Sequence, residues 1–146
     1  AEALGVPRGK LWGQLQSGES VTLEDGRVIE SAMVMGESRD GRKLSYVTDS
    51  LYFPEIADYV HDSDLLFCEG MFEKGLRDTA REKKHMTAYE AAVIARDSNS
   101  LKLCLQHYSP RYSDRELRVL EKEAREIFPA TVLTKDRMTF DIPLKD

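Results

Sequence analysis

An α/β layer fold is predicted by three observations. Short apolar runs of strand length, such as Leu65-Leu66-Phe67-Cys68 and Leu103-Cys104-Leu105, recur along the chain. Helix-prone stretches separate them, and two of these stretches open with a capping-box pattern, Thr87 with Glu90 and Ser113 with Glu116. Strands alternating with helices define an α/β layer. The 146 residues, 41% of them hydrophobic, suffice for a real core. Neither an internal repeat nor a Ser/Gly linker divides the chain, so residues 1–146 read as a single region, an arm and hairpin (1–26) followed by a β-α part (27–146).

In order, residues 5–18 are rich in Gly and basic side chains and read as an irregular arm. Asp25-Gly26 between short alternating runs signals a hairpin turn. Residues 32–36 and 43–48 read as strands separated by the polar turn at 38–42, which puts Asp49 at a strand's C-terminal end. Residues 54–62 read as a short helix with Pro54 in its first turn, leading to the apolar strand 64–68. Residues 73–83 are charged and helix-prone, and the first capping box opens the alanine-rich helix that follows. The strand 101–106 comes next, then the second capping box with a charged helix to about Glu126, and one or two closing strands within 129–143.

A net charge of −5 argues against a surface that simply coats nucleic acid, so any RNA binding must be local. No apolar run of about 18 residues occurs and the first ten residues lack a signal-peptide core, so a cytoplasmic protein is expected. Cys68 and Cys104 lie inside apolar strand-like runs, as buried free thiols do.

Polar side chains gather where strands end: Asp49, Glu69 and His107, with His85 just before a helix cap. That edge of an open α/β sheet is where ligands bind. His107 is followed by Tyr108-Ser109-Pro110-Arg111-Tyr112, so a histidine, a hydroxyl and an arginine lie within five residues and can hold a metal and a phosphate together. His61, the remaining histidine, reads as a solvated helix-end residue.

Taken together these residues resemble ribonuclease Z, of the metallo-β-lactamase superfamily, over nearly the whole chain. That family reads Gly-Asp-Thr where Thr48-Asp49-Ser50 stands, and His-Glu-Ala-Thr-Phe where Cys68-Glu69-Gly70-Met71-Phe72 stands. It reads His-Ser-Thr at His85-Met86-Thr87 and His-x-Ser-x-Arg-Tyr at 107–112. The offsets of 36 residues from Asp49 to His85 and 22 from His85 to His107 also agree with the family's spacing. The resemblance implies the C-terminal half of an αβ/βα sandwich and a zinc-dependent endoribonuclease that removes 3′ trailers from tRNA precursors. It implies that Asp49 bridges two zinc ions, that His107 is a terminal ligand, and that His85 is catalytic and paired with Glu69. Ser109 and Arg111 would lie beside the phosphate, and Arg8 and Lys10 in an arm that grips tRNA. Family members are commonly homodimers. Cys68, Met86 and Ser50 depart from the family pattern.

The family draws most of its zinc ligands from an H-x-H-x-D-H motif and a further histidine, and no such motif occurs in these residues. A normal catalytic zinc takes about three protein ligands, so the chain is expected to be inactive alone and to leave an apolar sheet face for a companion segment or a second copy to cover. Two rival readings are another hydrolase of the superfamily, and a non-catalytic scaffold that keeps the motif residues.

Overall fold

The Asp25-Gly26 pair turns the chain as expected: in this computed structural model, β1 (Val21–Thr22) and β2 (Val28–Ile29) pair antiparallel around it. Gly26 takes φ 82°, a left-handed conformation that glycine adopts at no steric cost. Residues 1–37 and 40–144 are described, and they divide into two units, Ala1–Asp40 and Gly41–Asp146. Both hairpin strands fall in the first unit, where Ile29 of β2 is buried with Val6, Leu15 and Val21. Two expectations change in this unit. The arm is not irregular throughout, because α1 (Lys10–Gln16) buries Leu15 in that cluster and Trp12 Nε1 donates to the Val6 carbonyl at 3.0 Å. Nor is 32–36 a strand. Residues Ser31–Met33 form a 3-10 turn whose local bonds, Met33 N to Glu30 O and Val34 N to Ser31 O, occupy donors a ladder would need. The turn expected at 38–42 lies partly outside the described residues.

The second unit is a parallel sheet of β3 (Leu44–Val47), β4 (Leu65–Glu69), β5 (Leu103–Gln106) and β6 (Thr131–Leu133), in that spatial order. Each strand is added beside the last. The intervening helices are α2 (Ile56–Tyr59), α3 (Arg77–Glu82), α4 (Ala88–Asp97) and α5 (Leu117–Ile127). Alternate strand residues Leu66, Cys68, Leu103 and Leu105 are buried in one cluster with Ile56 of α2, Ala91, Ala92 and Ala95 of α4, and Leu120 and Ala124 of α5. The alanines let α4 approach the sheet closely. The other face carries the register pairs Leu44–Leu65 and Tyr46–Phe67. There Leu44 and Tyr46 are exposed, while Phe140 meets Phe67 edge-on at 5.7 Å. Of the closing segment only β6 is a strand.

Thr87 caps α4 as its sequence predicts: its hydroxyl accepts from Glu90 N at 3.2 Å, and the Glu90 carboxylate accepts from Thr87 N at 3.0 Å. Thr87→Ala is expected to lower stability by about 1–2 kcal/mol, read as a shift in the urea midpoint. The second box is only half made. Ser113 N and Oγ both donate to the Glu116 carboxylate, but Glu116 N bonds the Ser113 carbonyl, and α5 begins one residue later. Both cysteines are free and buried, and burial pushes the Cys104 thiol up to about 11 and the Cys68 thiol higher, so neither is a nucleophile at neutral pH. Among the described residues no helix is long and apolar enough to cross a membrane.

Candidate metal centre

Parallel strands deliver their C-terminal ends to one edge, and the polar residues singled out above meet there. Asp49 follows β3, Glu69 ends β4, His107 follows β5, and His85 stands two residues before the Thr87 cap of α4. Asp49 (φ 48°) and His107 (φ 54°) are both left-handed, which turns the chain sharply off the strand. His107 Nε2 lies 3.5 Å from Asp49 Oδ1, and the His85 and His107 rings are 5.3 Å apart. Asp49, His85 and His107 each offer a ligand atom, and these atoms lie within 4.8 Å of one another. Two imidazoles and a carboxylate are a donor set suited to a borderline divalent ion.

Glu69 is fully buried and hydrogen-bonds the loops that carry Asp49 and His85. Its Oε1 accepts from the Ser50 backbone N–H at 2.5 Å, next to Asp49, and its Oε2 accepts from His85 Nδ1 at 2.9 Å and Met86 N at 3.4 Å. His107 Nδ1 stands 4.0 Å from the same oxygen. A carboxylate can only accept, so the bond makes Nδ1 the protonated nitrogen of His85 and leaves Nε2 to face a ligand or carry a proton. Gly70 follows directly, and Leu105 and Ala88 fill the space a side chain there would need.

Ser109 is buried on the loop after β5, its N–H bonded to the Met71 carbonyl at 3.1 Å. Arg111 is exposed, has no acidic partner among the described residues, and lies with its guanidinium carbon 5.1 Å from the Phe72 ring centroid. In the first unit Arg8 is exposed, paired with Glu2 at 3.0 Å and set over the Trp12 ring, and exposed Lys10 begins α1. His61 is exposed beside Asp62, at 2.9 Å, away from the cluster. Sequence reasoning did not find the Ser50 backbone donor, the Phe72 ring or the Tyr112 hydroxyl, which accepts from Glu73 N at 3.1 Å.

No family model matches the chain. Among solved structures it is similar to the metallo-β-lactamase fold protein YhfI from Bacillus subtilis, with a TM-score of 0.55 and 26% identity over 62% of this chain and 36% of that one. It also overlays on human tRNase Z, short form, with a TM-score of 0.55 and 24% identity over 80% of this chain and 37% of that one, a likeness of fold alone. The parallel layer with its polar edge is therefore part of a metallo-β-lactamase fold. Within that class the sequence resembles ribonuclease Z from end to end. It is 53% identical to Ribonuclease Z of Treponema denticola over 146 residues and 49% identical to that of Treponema pallidum (strain Nichols), covering 100% of this chain and 47% of either relative. Ribonuclease Z of Nostoc punctiforme is 40% identical over 98% of this chain and 46% of its own length. The chain spans about half the length of the curated relatives it matches.

Proposed function

We propose that the chain is the C-terminal part of a zinc-dependent endoribonuclease of the ribonuclease Z type, which removes 3′ trailers from tRNA precursors. The observation that carries this reading is the convergence of Asp49, His85 and His107 over one buried carboxylate. In this reading Asp49 and His107 would be the residues of this chain that hold the zinc ions. His85, held through Nδ1 by Glu69, donates a proton from Nε2 to the departing 3′ oxygen. When bound, the metal pair supplies a hydroxide of lowered pKa and neutralises charge on the phosphate. Ser109 and Arg111 hold the phosphate oxygens, Arg111 by its planar fork. Two zinc ions need about three protein ligands each, more than these residues offer, so the remaining ligands come from a further segment of a longer protein or a companion chain. Both units then belong to one metallo-β-lactamase-type domain of a cytoplasmic homodimer, with Arg8 and Lys10 contacting tRNA.

The test is zinc content by elemental analysis, for the chain alone and mixed with a segment carrying the remaining ligands. Near two zinc ions per pair only on mixing, lost in Asp49→Ala or His107→Ala but kept in His85→Ala while tRNA-precursor cleavage disappears, is the expected result. No zinc under either condition overturns the reading and leaves a non-catalytic scaffold.

A further inference from the structure

The loop after β4 and the loop after β5 are fastened to each other step by step. Gly70 N donates to the Gln106 carbonyl at 2.9 Å and Ser109 N to the Met71 carbonyl at 3.1 Å. One step further on, the Arg111 guanidinium lies over the Phe72 ring, and beyond it Glu73 N donates to the Tyr112 hydroxyl. The Phe72 platform is itself fixed, because the residue is almost wholly buried and its carbonyl accepts from Ala88 N at 2.9 Å, in the first turn of α4. An exposed arginine with no carboxylate partner ordinarily samples many rotamers, and ordering them on binding costs affinity. Here the residue before the ring and the residue after it are both anchored. The guanidinium is thus stacked on a rigid aromatic face, with its N–H donors unpaired by any acid among the described residues, four residues along the same loop from His107.

We infer that Phe72 and Tyr112 are positioning residues for phosphate recognition, holding the Arg111 guanidinium in place before the anion arrives. The inference rests on the reading of Arg111 as a phosphate contact. Phe72 supplies the surface on which the guanidinium lies. Tyr112, through its hydroxyl, locks the loop end that carries it. Neither residue touches the reacting atoms.

The experiment uses the labelled, metal-free chain and NMR. In the wild type the Arg111 side-chain signals should carry the upfield ring-current shift of a group stacked on Phe72, and titration with inorganic phosphate should move them. Phe72→Leu should remove the ring-current shift, and Tyr112→Phe should reduce it. Both should weaken phosphate binding about two- to fivefold, the worth of an exposed cation–π contact. Arg111→Ala should abolish the phosphate response. Tyr112→Phe keeps the test decisive if Phe72→Leu fails to fold. Unshifted Arg111 signals in the wild type, or variants that bind phosphate as tightly as the wild type does, overturn the inference alone. A wild-type chain that binds no phosphate, or one whose binding survives Arg111→Ala, overturns the phosphate role of Arg111 and this inference with it.

Discussion

Glu69→Ala is expected to lower the unfolding free energy by about 3–5 kcal/mol, the range for removing one partner of a buried, hydrogen-bonded pair. The carboxylate is fully buried and receives donors from two other loops, Ser50 N, His85 Nδ1 and Met86 N. Its loss strands all three, and each buried donor left without a partner costs about 1–3 kcal/mol where water cannot enter. Glu69→Gln is the sharper probe. An amide has one accepting and one donating end, whereas the site presents Ser50 N–H on one side and His85 Nδ1–H on the other. One of the two must face a donor, so about 1–3 kcal/mol is lost while the shape is kept. Metal affinity should fall about 10–100-fold in the same variant, because Glu69 holds the Ser50 N–H beside Asp49, a proposed ligand. Urea unfolding followed by circular dichroism reads the first effect, and cobalt titration of the metal-free complex with the segment carrying the remaining ligands reads the second. An alanine variant within 1 kcal/mol of the wild type would show that Glu69 does not tie these loops together.

Leu105→Ala should be comparably damaging, at about 3–5 kcal/mol. Leu105 is completely buried on the helix face of a strand paired on both sides, opposite Cys68 of β4 and Leu133 of β6. Its Cδ2 fills the space beside Gly70. Neighbours that close-packed cannot collapse into the gap, so the lost transfer energy is joined by a cavity cost. Val119→Ala, on the exposed side of α5, is the control and should stay within about 0.5 kcal/mol. If the two variants unfold at the same urea concentration, the core does not centre on β5.

The α/β layer was legible because its signals are local. Strand-length apolar runs and the Thr87 box depend on near neighbours, and β4, β5 and α4 appear where those signals lie. Local signals also misled. Residues 32–36 are apolar enough for a strand, yet the Ser31 hydroxyl bonds the Leu15 carbonyl, sixteen residues back, and the chain curls into a 3-10 turn. Similarly, the glycines at 9 and 13 made α1 look like loop, whereas burial of Leu15 decides the matter through contacts distant in sequence. At the site, strand-end positions pointed to Asp49, Glu69 and His107. The reach of Glu69 to Ser50 did not show, because it uses a backbone N–H whose direction follows from the left-handed Asp49. No side-chain identity encodes that.

That left-handed geometry has a price. A non-glycine residue held there carries roughly 1 kcal/mol of strain, and two such residues, Asp49 and His107, sit side by side at one sheet edge. Glycine would relieve the strain at either position and would remove a side chain of the proposed metal centre in doing so. Durability and chemistry therefore pull in opposite directions at these two residues, and the chain keeps the less comfortable choice at both.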